Sequence, residues 1–368
     1  MSVHRRKSGR CLDEYGLDRK GADKMKRKTV YFAALTMSVA VLTAGCSIGG
    51  KNIRITTGLS DSDLFKIDGS KFSVSDALMY LTTEKNVYEE SFGTDIWDKS
   101  IGDTTFENYV KDSVKDRCAR IKTLNLLAKE KKLQLSEAEK EKAANASQKY
   151  FSALSEEEKT YLGVTDADVT KAYEEYLLAN KVYEEIVKGI NPEISDADAK
   201  VIRVQSIYQK TYMMDNEGNR IEYTQEEKQE AKKNIDGALE QIKNGSDFVE
   251  IATKNTDAGQ IEYQFGKGEM IEEFEKVAFA LKEGEVSDVI ETPDGYYIIK
   301  CISDYLAEET QKNKEAMVLK AKNEAFRQVY DPFVNELSSE FNDKAWEKIR
   351  LADMTNIKVD DFFACIEN

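Results

Sequence analysis

Histidine is almost missing from this chain of 368 residues: there is one, His4. It lies upstream of a stretch with the pattern of an export signal. Metal sites and catalytic triads built on imidazole are therefore ruled out for the rest of the chain. Proline is scarce, with three in all, which excludes collagen-like and proline-rich chains and leaves long helices free to form. Cysteine is also sparse at five, too few for a disulfide framework. Cys118 falls on an apolar helical stripe and Cys301 in a strand pattern, the places of buried packing residues. Only one apolar run exceeds a dozen residues, so a polytopic membrane protein is excluded. Positive charge is in deficit: 53 Lys and Arg face 68 Asp and Glu, for a net −15. Such a surface repels phosphate, so no nucleic acid partner is expected. What remains, 41% hydrophobic and 33% charged, is a helix-rich composition long enough for two or three domains.

The N-terminus carries an address. Met25-Lys26-Arg27-Lys28 is basic, Thr29 to Val41 is nearly free of polar groups, and Leu42-Thr43-Ala44-Gly45-Cys46 follows. This is the pattern of an export signal over residues 25–45. Its apolar stretch is shorter than a spanning helix requires. The cysteine after Ala-Gly resembles the lipobox of bacterial lipoproteins, which implies diacylglycerol on Cys46 and cleavage just before it. Thr43 departs from the usual leucine. An uncleaved anchor is the alternative. Residues 1–24 read as a polar extension, or as a start upstream of the true one at Met25. Removing residues 1–45 takes away ten of the 53 basic and four of the 68 acidic residues, so the mature chain carries −21. A particle that acidic avoids anionic lipid, so the lipid on Cys46 has to supply attachment, with 46–67 as anchor and tether.

Three regions follow. Residues 68–195 read as helical. Phe106, Val110, Val114, Cys118, Ile121, Leu124 and Ala128 recur at three- and four-residue spacing. Ser136 with Glu139, Ser155 with Glu158, and Thr165 with Asp168 mark three helix starts. Residues 196–304 change character. A strand over Val201 to Tyr208 leads into turn chemistry at Asp215-Asn216-Glu217-Gly218-Asn219, so a hairpin is expected. Helices from Gln225 and Asp247, a strand at Ile261 to Phe265, a short helix near Phe274 and a strand at Tyr296 to Ile302 complete the region. Residues 305–368 return to helix, with a break near Asp331-Pro332 and an apolar face continued by Phe333, Leu337, Phe341 and Trp346. This tail is too small to fold alone and is expected to pack on the first region, with the middle domain inserted between them.

The middle region resembles a parvulin-type peptidyl-prolyl isomerase domain, block by block and in order. The blocks are Ile202 to Ile207, Ala238 to Ala252 with its Gly245-Ser246-Asp247-Phe248 elbow, Phe265-Gly266-Lys267-Gly268-Glu269-Met270, Phe274-Glu275, Ala278 to Leu281, Gly284-Glu285-Val286-Ser287, and Thr292 to Lys300. With the lipobox in front and helices on both sides, the whole chain resembles PrsA-type foldase lipoproteins, and SurA is a similar architecture. The resemblance implies an α+β fold, in which N- and C-terminal helical segments form a chaperone domain and the insert is a small antiparallel sheet flanked by helices. It implies unfolded or newly exported polypeptides as partners, no cofactor, and a place on the outer face of the bacterial cell membrane.

The resemblance also assigns residues. Met270 and Phe274 fall on the family's proline-pocket positions and Phe265 on the aromatic before them. A Met/Phe stripe read on spacing alone is more often core, which leaves Phe265 ambiguous. Ser206 and Tyr297 occupy the two strand positions where the family usually has histidine, and Asp257 roughly the position of its Cys or Asp. Gln260 to Gln264 lacks the family's Gly-Asp-Leu-Gly pattern. Ser206 and Tyr297 can donate a hydrogen bond but cannot retune a neighbour as imidazole does. Weak isomerisation with chaperoning is therefore expected. The alternatives are a holdase with an inactive parvulin scaffold and, further off, a solute-binding lipoprotein, which would need two βα lobes around a cleft. Tyr88, Phe92 and Trp97 near the Gly93 loop are candidate client contacts, with ordinary packing as the competing reading.

Overall fold

The computed structural model describes residues 59–367, so the expectations for the export signal, Cys46 and residues 1–24 lie outside the described residues. The chain divides into two compact units. One combines the described residues up to Gly189 with Asn323 onward, and the other is Ile190–Lys322.

The first unit is built on helices. A hairpin of β1 (Asp63–Ile67) and β2 (Ser70–Ser73) leads into α1 (Val74–Phe92), followed by α2 (Phe106–Glu130), α3 (Glu137–Ala153), α4 (Glu156–Leu162) and α5 (Asp166–Val187). The expected caps are present. Ser136, Ser155 and Thr165 each accept a hydrogen bond from the backbone three residues on, and Glu139, Glu158 and Asp168 return one. Each pair satisfies two amides that a helix start otherwise leaves open. The α2 stripe is buried from Val110 to Ala128. Cys118 is fully buried, and burial pushes its thiol pKa up, so it packs as a small hydrophobe.

The C-terminal segment completes this unit. Strand β9 (Ser339–Phe341) pairs antiparallel with β1 through Phe65↔Phe341. Phe362 has no exposed surface and stacks on Tyr173 at 4.0 Å, with Tyr150 and Tyr176 edge-on. The Tyr173 hydroxyl donates to the Phe362 carbonyl at 2.8 Å. One turn of α2 grips the same segment by charge. Lys111 Nζ donates to the carbonyls of Trp346 and Ile349 at 3.0 and 2.7 Å, and burial lowers its pKa. Glu107 accepts from the Leu351 amide at 2.6 Å and from Arg350 Nε at 3.0 Å. A buried charge without such partners would cost several kcal/mol.

The second unit holds a four-stranded antiparallel sheet. In chain order it comprises β3 (Val201–Lys210), the ribbon β4 (Tyr212–Met214) and β5 (Arg220–Glu222), α6 (Gln225–Lys243), α7 (Phe248–Asn255), β6 (Glu262–Gly266), α8 (Glu272–Ala278), β7 (Ile290–Thr292) and β8 (Gly295–Ser303). The sheet order is β6-β3-β8-β7. α9 (Ala307–Glu336) follows, and its first turns belong to this unit. There Thr310 Oγ1 accepts from the Val201 amide at 3.1 Å, and Asn313 donates to the Ala199 carbonyl at 2.9 Å.

Three details differ from the sequence reading. Pro332 lies inside α9 and does not break it. It forfeits one amide near the helix end, while Phe326 and Tyr330, stacked at 5.0 Å and both buried, hold the preceding turns. Phe341 sits in a strand, not on a helical face. Trp97 is 1% exposed and donates to Glu89 at 2.8 Å, so it is a core residue, not a client contact.

Phe362→Ala is expected to destabilise the helical unit by about 3–5 kcal/mol. The measurement is the urea midpoint of unfolding at unchanged m-value.

Candidate active site

Side chains on a strand alternate between faces, so register decides which residues of the central pair, β3 and β8, share a face. Tyr297 pairs with Tyr208 and Ile299 with Ser206. One face of the sheet carries Ile207 and Ile298 against Ile235, Ala238 and Leu239 of α6 and Phe248 and Ile251 of α7. The other carries Ile202, Val204, Phe265, Ile290 and Ile299 against Phe274 and Ala278 of α8, with Tyr263, Met270 and Tyr297 packed at its margin. By alternation Ser206 and Tyr208 belong to this second face.

The turn into β8 holds the register. Gly295 has φ +143°, and a Cβ there would fall 2.1 Å from the Gln209 carbonyl oxygen. Only glycine lets the two strands approach this closely. The Tyr208 hydroxyl donates to the Asp294 carbonyl at 2.7 Å, fastening the same turn from the other strand.

The structure brings five of the six expected isomerase-site residues to one face. Phe265 and Phe274 are each 3% exposed and lie 5.8 Å apart. Phe265 also meets Phe279 edge-on at 5.8 Å, so its main contacts are with other core rings. Phe274 meets Tyr297 edge-on at 5.2 Å. Met270 and Tyr297 are half-buried and supply solvent-facing surface. Ser206 is 1% exposed and its Oγ makes no hydrogen bond. The Tyr263 phenol is close enough to feel it, but its hydroxyl is committed to the Gln260 carbonyl at 3.0 Å. Leaving a buried hydroxyl unpaired costs about 1–3 kcal/mol. Asp257 is exposed on the loop after α7, where its carboxylate accepts from the Lys210 amide at 3.0 Å. That loop is clipped along β3, with the Asp257 amide on the Tyr208 carbonyl and the Ser206 amide on the Ile261 carbonyl, both at 2.8 Å.

Two half-buried aromatics were missed in the sequence, Tyr208 and Tyr263. The signal was available: each lies two residues from an assigned position, Ser206 or Phe265, and so on the same face. Tyr208 stacks on Tyr297 at 4.5 Å. Burial, the Asp294 charge and Tyr263 push the Tyr297 phenol up to about 12. Burial raises Tyr208 and Tyr263 as well. All three phenols are neutral hydrogen-bond donors at pH 7. The site therefore offers an apolar floor, a flexible thioether at its edge, and a rim of hydroxyls.

These observations meet an independent one. Residues 216–303 match the PPIC-type PPIASE (rotamase) domain. The wider chain is similar to foldase protein PrsA of Staphylococcus epidermidis, 29% identical over 189 residues, which are 50% of this chain and 53% of that protein. Peptidyl-prolyl cis-trans isomerase ssp-1 of Neurospora crassa is 40% identical over 80 residues, 20% of this chain and 43% of that one. A crystal structure of peptidylprolyl isomerase (PrsA) from Bacillus cereus covers 84% of this chain and 100% of its own, with 18% identity and a TM-score of 0.33. The chain spans about half the length of the curated relatives it matches. The chain is thus similar to PrsA foldases over about half its length, and its PPIC-type PPIASE match lies in an α+β fold. Among the described residues no group of three or more His, Cys, Asp or Glu could hold a metal, and no helix is long and apolar enough to cross a membrane.

Gly295→Ala is expected to push β3 and β8 apart and cost at least about 1–3 kcal/mol. Faster hydrogen exchange at the amides of Ile207 and Ile298, relative to those of α2, is the check.

Proposed function

We propose that this chain is an extracytoplasmic foldase that binds unfolded exported polypeptides and turns their X–Pro bonds slowly. The observation that carries this reading is the half-buried pair Met270 and Tyr297 beside Phe274, on one sheet face of the PPIC-type domain. Rotation about an X–Pro bond breaks no bond; the barrier is the amide resonance that holds the peptide planar. An apolar cup strips water from the amide and so favours the less polar, twisted state. A hydroxyl aimed at the proline nitrogen stabilises its developing lone pair. Tyr297 is the accessible donor in this scheme. Ser206 sits behind it, and Asp257 holds the end of β3 in place by its bond to Lys210. The Ser206 burial is the reason for proposing slow turnover, because a hydroxyl that a client cannot reach stabilises nothing in the twisted state. The helical unit acts as the client-holding part, and lipid on Cys46 keeps the chain at the outer face of the cell membrane. A pure holdase is the second reading, favoured by the same Ser206 burial.

Met270→Ala and Phe274→Ala are each expected to lower kcat/KM by about tenfold or more in a protease-coupled proline-peptide assay. An unchanged rate in both would remove the cup from the mechanism. The proposed groups include no histidine, and Tyr297 ionises only near 12. The rate is therefore expected to stay flat from about pH 6 to 9; a bell-shaped profile in that window would contradict the assignment. Full suppression of aggregation of a proline-free client by a chain with no measurable isomerisation would favour the holdase. Cys46→Ser is expected to release the chain from cells, read by fractionation.

A further inference from the structure

Among the described residues of the second unit, Ser206 Oγ is the only buried side-chain nitrogen or oxygen with no hydrogen-bond partner. Register explains how it is enclosed. Tyr263 of β6 pairs with Val204, and Tyr297 of β8 pairs with Tyr208. Each ring therefore stands diagonal to Ser206, from the strand on either side and on the same face. Aromatic side chains reach their diagonal neighbours across a sheet. The Tyr263 phenol lies close enough to feel both the Ser206 hydroxyl and the Tyr297 phenol. Two rings thus flank and cover a small side chain that is 1% exposed.

The two rings are held differently. Tyr297 sits on a central strand, stacked on Tyr208 at 4.5 Å and edge-on to Phe274 at 5.2 Å. Tyr263 sits on the edge strand, next to Glu262, the last residue of β6 paired with β3. Its hydroxyl is fixed by a bond to the Gln260 carbonyl at 3.0 Å, three residues back in the chain and at the exposed surface. A neutral bond in contact with water has a small net strength. A side chain on an edge strand also changes rotamer without disturbing the backbone ladder. We propose that Tyr263 is a gate over Ser206: its ring closes on the serine in the resting chain and swings out to admit a client amide, so that the Ser206 hydroxyl joins Tyr297 as a second donor to the twisting bond. The proposal rests on the reading of Met270, Phe274 and Tyr297 as the cup. Tyr263 is a positioning residue in it. The fraction of time the gate stands open scales what Ser206 contributes, so a gate that is mostly shut accounts for slow turnover. It also accounts for a hydroxyl kept buried at a cost.

The test is the protease-coupled proline-peptide assay on the full chain, with the urea midpoint of each variant as the check on folding. Tyr263→Ala is expected to raise kcat/KM about tenfold, chiefly through kcat, because a donor that acts on the twisted state adds little to ground-state binding. Adding Ser206→Ala to Tyr263→Ala is expected to remove that gain. Tyr263→Phe keeps the ring and loses only the bond to Gln260, so its rate is expected to rise by a smaller factor, about threefold. A gain that survives Ser206→Ala, or no gain in Tyr263→Ala at an unchanged midpoint, overturns the gate. A Tyr263→Phe rate below that of the original chain also overturns it and makes the phenol itself the donor. If Tyr263→Ala unfolds at lower urea, Tyr263→Phe decides, and a rate equal to the original overturns the gate. Met270→Ala and Phe274→Ala that leave the rate unchanged in both the original and the Tyr263→Ala chain overturn the cup instead. A series in which no chain turns the peptide overturns both.

Discussion

Everything proposed about the second unit depends on one backbone constraint: the register of β8 on β3. The sheet is two-sided, with α6 and α7 on one face and α8 with the aromatic site on the other. Because strand side chains alternate, a one-residue slip of β8 would send Tyr297 under the helices and bring Ile298 to the site. Gly295 makes that slip unfavourable, since the close approach to Gln209 has no room for a side chain. The Tyr208–Asp294 bond then ties a site residue to the turn that sets the register. Positioning and chemistry therefore share parts.

The absence of histidine gives the site a distinct electrostatic character. Imidazole near neutrality can take up or release a proton. The phenols here cannot, because burial raises them and they stay protonated across the physiological range. Such a rim suits a reaction in which no proton needs to move, as in twisting an amide. The buried, unbonded Ser206 hydroxyl works the other way: it carries a desolvation cost and offers the client nothing it can reach.

The helical unit meets a different physical problem. Its N- and C-terminal parts are more than a hundred residues apart in sequence, so joining them costs loop-closure entropy. They are knitted by contacts that tolerate no slack: Phe362 stacked on Tyr173, Phe341 paired with Phe65, and the Glu107 and Lys111 grips. Glu107 and Lys111 each end on backbone groups of the returning segment, so that segment has one seating in which both are satisfied.

Local signals were legible in the sequence because they act over a few residues. The capping pairs at Ser136, Ser155 and Thr165, the α2 stripe, the glycine-containing turns and the block order of the PPIC-type domain all depend on neighbours in the chain. The sequence also named Met270, Phe274 and Tyr297 as companions, since fixed blocks fix relative positions. What it could not supply was anything decided by distant pairing. The strands Asp63–Ile67 and Ser339–Phe341 are too short to announce themselves and exist because they meet each other and β2. Trp97 looks like a surface ring until Glu89 and the core close over it. Ser206 looks like a ready donor until the sheet and Tyr263 seal it in. Helix caps and turns are local free energies that a few residues determine; burial is a property of the whole packed chain, and only the tertiary structure assigns it.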